Sequence, residues 1–286
     1  MFSILEVLNG ARPLISIVDA GAMTLGAATE VYHPLMSAGL AQVLGFEAVQ
    51  AECEKLNATA GEGRRYLPFA VGDGTRRTLH VCNYPMTSSL YEPNFPLLDF
   101  YQNLGNLCQV VRRQEIDTVR LDDIPEASEA DFLKLDVQGA ELDVLRGARK
   151  VLASAVAVQT EVEFVPLYKN QPLFAEVDQE LRSRGFWFHR FFGLAGRAIK
   201  PVIINNDINA TIGQVLWGDA VYIRDLMQLE TLPAGKLLRL AVILHEVYCS
   251  VDTCLHVLAH YDRKAGSSLA PSYLARLTGG RAGAGA

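Results

Sequence analysis

Two apolar runs about one βαβ unit apart constrain this chain most. Residues 14–21 read Leu-Ile-Ser-Ile-Val-Asp-Ala-Gly, a β-branched run ending in Asp19 and Gly21. Residues 42–47 read Gln-Val-Leu-Gly-Phe-Glu and end in Glu47. A strand ending in an acid beside a glycine, then a second strand ending in an acid, is how a doubly wound sheet holds a nucleoside. The second acid suits a ribose, because one carboxylate can accept hydrogen bonds from both hydroxyls. The plain alternative is a pair of strand-end acids facing water.

The phosphate half of a dinucleotide pattern is missing. A pyrophosphate needs Gly-x-Gly-x-x-Gly, so that backbone amides at a helix start can approach the anion. The turn here runs Asp19-Ala-Gly-Ala-Met-Thr-Leu-Gly26 and opens on an acid, which repels an anionic ligand. A carboxylate there suits a positive amino group. S-adenosyl-L-methionine carries that amino group, a ribose and an adenine, and no phosphate.

Strand and helix signals alternate from residue 14 to about 191. Arg65–Val71 reads as a third strand closing on Gly72-Asp73-Gly74, and Thr78–Cys82 as a short extra one. Val110–Leu121 is extended and half polar, as for an added edge strand. Asp131–Val137 is a short apolar strand ending near Asp136. Gly139–Ala153 then reads as a helix, with Leu142, Leu145, Ala148 and Leu152 on one face. Glu141 and Asp143 in its first turn, and Arg146, Arg149 and Lys150 further along, match the helix dipole. Ala155–Phe164 is the next strand, carrying Glu161 and Glu163. Leu173–Arg184 is an amphipathic helix, and Phe186–Phe192 and Asp219–Arg224 are the last strands. This alternation implies a mainly parallel sheet covered on both faces, with its ligand beyond the carboxyl ends of the strands. Asp19, Glu47, Asp73, Asp136, Glu161 and Glu163 all fall at or near that rim.

Composition narrows the classes. With 286 residues, half of them hydrophobic and a fifth charged, the chain can bury a large core. A net charge of −6 argues against a nucleic-acid partner, which calls for a basic face. Five cysteines without a Cys-x-x-Cys suit a reducing, cytoplasmic setting better than disulfides or zinc. No secretory leader and no run of eighteen apolar residues is evident, so no membrane span is expected.

The run Phe132-Leu-Lys-Leu-Asp-Val-Gln-Gly-Ala-Glu-Leu-Asp-Val-Leu-Arg-Gly-Ala148 closely resembles the signature of the FkbM family of methyltransferases. Four further stretches look similar: Val18–Met23, Gly45-Phe-Glu47 with Leu56-Asn57, Ser88–Pro93 and Thr118–Ile124. Trp217-Gly-Asp-Ala-Val221 looks like the family's closing strand. There are departures: Ala48 stands where the family usually has proline, Gln138 where glutamate is frequent, and Met23 where asparagine is common. The resemblance implies a Rossmann-like, seven-stranded, mostly parallel doubly wound sheet that uses S-adenosyl-L-methionine. It places Asp19, Gly21 and Ala22 against the methionine portion, Glu47 on the ribose hydroxyls, Asp73 near the adenine amine, and Asp136 near the methyl-bearing sulfur. The reaction it implies is methylation of a hydroxyl on a sugar, a glycolipid or polysaccharide, or a secondary metabolite.

A hydroxyl acceptor must lose a proton, so a base nearby helps. Asp136, Glu161 and Glu163 are candidates by position, His33 and His189 by chemistry. Asp122, Asp123 and Asp136 offer hard oxygen ligands to a magnesium ion, although their spacing is not diagnostic and a metal is not expected. Two alternatives stay open: a nicotinamide-linked dehydrogenase on the same sheet, and a cofactor-binding scaffold without turnover.

The organisation expected is a methyltransferase domain over 1–228 (core about 15–191), a helical extension over 229–264, and a flexible tail over 265–286. Residues 83–106, aromatic and proline-rich, read as a loop able to close over an acceptor. Residues 193–218, with Asn205-Asn206-Asp-Ile-Asn209, offer polar contacts to a hydroxyl-rich one. Pro233–Tyr261 carries an apolar stripe, Leu237, Leu240, Leu244, Val247, Val251, Leu255 and Leu258. The stripe either packs on its own domain or forms a homodimer interface.

Overall fold

The computed structural model describes residues 2–22 and 30–279. The turn beyond Ala22, with Met23 and Gly26, and the last residues of the Gly/Ala/Arg tail lie outside them. Among the described residues there are nine strands: β1 (Ile15–Ala20), β2 (Ala41–Phe46), β3 (Arg64–Leu67), β4 (Arg76–Cys82), β5 (Val110–Asp117), β6 (Phe132–Leu135), β7 (Ala157–Glu163), β8 (Phe186–Ala195) and β9 (Trp217–Arg224). The helices are α1 (His33–Ser37), α2 (Gln50–Thr59), α3 (Phe95–Leu98), α4 (Leu104–Leu107), α5 (Glu141–Arg146), α6 (Arg149–Ser154), α7 (Phe174–Ser183), α8 (Ala234–Glu246), α9 (Val251–Ala265) and α10 (Leu269–Leu277).

Seven strands form one sheet in the order β3-β2-β1-β6-β7-β9-β8. β1, β2, β3, β6 and β7 run parallel, and β9 runs antiparallel to both its neighbours. β1 and β7 are buried on both faces: β1 reads as a mostly apolar run, while β7 also buries Gln159, Thr160 and Glu163. The strand order reverses between β1 and β6, so a crevice opens at their carboxyl ends, beside Gly21 and Asp136.

β5 departs from the expected edge strand. It pairs antiparallel with β4 in a separate two-stranded sheet. Its side chains are almost all exposed, so it has no apolar face with which to extend the main sheet. The helix expected over 139–153 is broken into α5 and α6 at Gly147. A Cβ there would stand 2.1 Å from the carbonyl oxygen of Gly72, so the loop after β3 packs where an uninterrupted helix would carry a side chain.

The helices after β9 are part of the main fold. One core joins Ile15, Ile17, Phe132, Val221 and Ile223 of the sheet to Leu237, Leu240, Leu244, Cys254, Leu258 and Tyr273 of α8–α10. The apolar stripe is therefore largely buried within the chain, which leaves little of it to form the homodimer interface considered above. The other face of the sheet packs on α5, α6 and α7. Part of the expected flexible tail is helical, since α10 buries Leu269, Ala270 and Tyr273. His245 fixes it there, with Tyr273 Oη 2.7 Å from one ring nitrogen and the Phe2 carbonyl 2.8 Å from the other. Among the described residues no helix is long and apolar enough to cross a membrane.

Candidate functional site

Parallel pairing puts Asp19, Lys134 and Gln159 side by side on β1, β6 and β7. Two residues further along the same face come Gly21, Asp136 and Glu161, and Asp219 of β9 pairs with Glu161. This polar row opens into a cavity of about 490 Å³ at the carboxyl ends of the strands. Asp19, Glu47, Lys134, Asp136, Gln159 and Asp219 line its polar part; Phe69, Val71, Leu79, Met86 and Leu90 line its apolar part. A more open hollow of about 330 Å³ lies over Ser16, Val43 and Arg64, and contains none of the strand-end acids singled out above.

Asp19 is 5% exposed. Its Oδ2 accepts a hydrogen bond from Tyr32 Oη at 2.6 Å, while Oδ1 has no hydrogen-bond partner among the described residues and lies 3.6 Å from Lys134 Nζ. A buried acceptor without a hydrogen bond costs about 1–3 kcal/mol. Gly21 has φ +83°, and a Cβ on it would come within 1.8 Å of the carbonyl oxygen of Asp136. The backbones after β1 and β6 approach that closely only because the residue is glycine.

Glu47 stands at the end of β2, where its Oε1 accepts from the Val49 amide at 2.7 Å. Burial pushes its carboxyl up, against the pull of that amide. Asp136 accepts from Lys134 Nζ at 3.2 Å and from Gln138 Nε2 at 2.9 Å. Burial opposes its charge, but Lys134 and Gln138 hold it below the usual carboxylate range. Burial likewise opposes the charge on Lys134, and Asp136 and Asp19 outweigh it, so the ammonium is held more firmly than usual.

Gln138 joins the rim to its surroundings. It adopts φ +55°, a conformation uncommon outside glycine, and its Nε2 also donates to Glu161 at 2.7 Å. Its carbonyl accepts from Ser89 Oγ at 2.5 Å, and its Oε1 lies 3.0 Å from Tyr168 Oη. Residues 85–90 thereby become a wall of the cavity, and Tyr91 anchors the next turn by donating to Asp143 at 2.8 Å. That part of the expected lid is packed in place.

Asp19, Gly21, Glu47 and Asp136 are thus brought together. The side chain of Ala22 packs away from the cavity with Cys53, Leu56 and Tyr66. Asp73 also stands apart: its Oδ1 accepts from the amide and hydroxyl of Thr75, the arrangement of a turn-forming aspartate. Glu161 reaches the cavity through Gln138, and neither it nor Glu163 lines the wall. His33 lies 3.1 Å from Ser37 Oγ at the start of α1, and His189 lies 2.8 Å from Ser250 Oγ; neither lines the cavity. Asp122 accepts from the amides of Lys150 and Val151 and caps α6, while Asp123 pairs with Arg120.

Lys134, Gln159, Asp219 and Tyr32 went unnoticed in the sequence. Alternation along β6 was a usable signal for Lys134, which must share a face with Asp136.

The acids beneath the rim carry a pH signature. Burial pushes Glu141 up to about 7 from 4.5, and burial together with Asp136 and Glu163 raises Glu161. An acid that binds its proton more tightly when folded loses stability as pH rises from its unfolded value towards its folded one. The loss is about 1.4 kcal/mol per pH unit for each such proton. Urea denaturation should therefore show stability falling between about pH 4.5 and 7. Glu141→Gln should flatten that fall and be the more stable protein at pH 8; an unchanged slope would rule out Glu141 as its source.

A family model described as the methyltransferase FkbM domain matches residues 19–188. No curated protein matches the sequence. Among solved structures, the chain shares 8% identity and a TM-score of 0.37 with precorrin-6y C5,15-methyltransferase from Geobacter metallireducens, over 77% of this chain and 85% of that one. The plantazolicin methyltransferase in complex with SAH gives 9% and 0.37, over 77% and 79%. A SAM-dependent methyltransferase from Aquifex aeolicus gives 11% and 0.32, over 78% and 90%.

Proposed function

Because this chain belongs to the FkbM methyltransferase domain family, we propose that it carries a methyl group from S-adenosyl-L-methionine to a hydroxyl oxygen. The observation that carries the reading is that Asp19 and Glu47, from neighbouring strands, line one cavity. The cavity fits the donor on its own chemistry. Among the described residues Asp19 Oδ1 is a buried acceptor without a donor, and Gly21 lets the backbones after β1 and β6 meet at the mouth of the crevice. Among the described residues six carboxylates and a single cation line the wall. That balance favours a cationic ligand and opposes the pyrophosphate of a nicotinamide dinucleotide, which disfavours the dehydrogenase alternative.

In this reading Asp19 holds the ammonium of the donor and Glu47 accepts from the ribose hydroxyls. Phe69, Ala70 and Val71 flank the base. When bound, the donor supplies an electrophilic methyl group on a sulfonium. Asp136, kept ionised by Lys134 and Gln138, receives the hydroxyl proton at its carboxylate. Glu161 acts through Gln138 as a positioning residue. Alignment of the acceptor by the walls is worth roughly 7–11 kcal/mol in reactions of this kind. The acceptor class we favour is a hydroxyl of a sugar, glycolipid or polysaccharide, or a secondary metabolite.

Calorimetric titration with S-adenosylhomocysteine tests the reading. The wild type should bind clearly, and Glu47→Ala should lose tenfold or more, about 1.4 kcal/mol or greater. Equal affinity for the two would refute the ribose assignment.

A further inference from the structure

The polar end of the cavity holds a matched pair of opposite charges. Lys134 is the one cation lining it among the described residues, and its Nζ stands 3.6 Å from Asp19 Oδ1. An ammonium has three donors, and here one hydrogen bond to a side chain is formed, to Asp136 at 3.2 Å. Asp19 Oδ1, beside it, is buried and accepts none among the described residues. The site thus presents one unused acceptor and unused N–H donors beside each other.

Without Lys134 this end would carry Asp19, Asp136 and Asp219 with no counter-ion, which would attract a bare amine and repel a carboxylate. The donor proposed above carries ammonium and carboxylate on the same carbon. Resting on that reading, we propose that Lys134 pairs with the α-carboxylate of the donor while Asp19 takes its ammonium. The pair makes the site selective for an adenosyl ligand with an intact amino-acid end. Lys134 then does more than neutralise its acidic neighbours. It decides which adenosyl thioethers enter.

The test compares two ligands by calorimetric titration. S-adenosylhomocysteine has both charges; 5′-deoxy-5′-(3-aminopropylthio)adenosine keeps the ammonium and lacks the carboxylate. The wild type should bind S-adenosylhomocysteine at least tenfold more tightly. In Lys134→Met that preference should fall to about onefold or reverse, because the decarboxylated amine no longer competes with an ammonium. A preference left intact in a folded Lys134→Met protein would overturn the assignment. Equal wild-type affinity for the two ligands would overturn it without any variant, so a failure of Lys134→Met to fold does not protect it. Equal binding would leave the donor reading standing. Binding of neither ligand would bring down both.

Discussion

Gly21→Ala is expected to lower donor affinity at least a hundredfold and to destabilise the fold by about 2 kcal/mol or more. Two costs combine. A φ of +83° disfavours any residue with a Cβ, and that Cβ would lie 1.8 Å from the carbonyl oxygen of Asp136. The obstructing atom is backbone, so no side-chain rotation relieves it. Asp136 is tied to β1 by its own amide, which donates to the Ala20 carbonyl at 3.0 Å. The turns after β1 and β6 must therefore part, which separates Asp19 from Asp136 and Lys134. Titration with S-adenosylhomocysteine and urea denaturation measure the two effects. Wild-type values in both would mean that the crevice between β1 and β6 does not depend on this close approach.

A chain ending at residue 228 should fail to fold. The division into a domain and a helical extension makes the opposite forecast, namely that 1–228 melts cooperatively by itself. Burying a large aliphatic side chain is worth about 1.5–3 kcal/mol. α8 alone buries Leu237, Leu238, Leu240, Val242, Ile243 and Leu244, against a typical net stability of about 5–15 kcal/mol. Lys236 and Arg239 also leave Asp131, which is 2% exposed and sits between β1 and β6. Loss of a sharp thermal transition, followed by circular dichroism, is the expected outcome. A cooperative melt close to that of the full chain would restore the division at 228.

The sheet was legible because its strands obey a local rule. An apolar, β-branched run such as Ile15–Ala20 reads as a buried strand. The partner of β5 was not, since eight half-polar residues do not say which edge they join. The break at Gly147 was hidden for a related reason: it lies where the chain meets the carbonyl of Gly72, far away in sequence.

The site divides along the same line. Asp19, Glu47 and Asp136 terminate strands, and the fold gathers strand ends at one rim. Beyond a strand end the chain is free to turn, so spacing could not tell that Asp73 would bond its own turn or that Ala22 would face a separate cluster. Lys134 lies inside the most informative motif, but a lysine two residues before a strand-end acid reads equally as a solvated side chain, and only the pairing of β6 with β1 turns it towards Asp19. Gln138, a departure from the family pattern, proved to be the residue whose amide links Asp136 to Glu161.

Tyr248, at the end of α8, donates to Gln159 at 3.0 Å, while Ser3 donates to Glu246 across 243 positions of sequence. A ribosome that has delivered everything through β9 has thus released a sheet with one greasy side uncovered. Contacts of such long range form late and slowly. Until the last helices emerge that side stays exposed, and the cavity at the strand ends still lacks the tyrosine that holds Gln159.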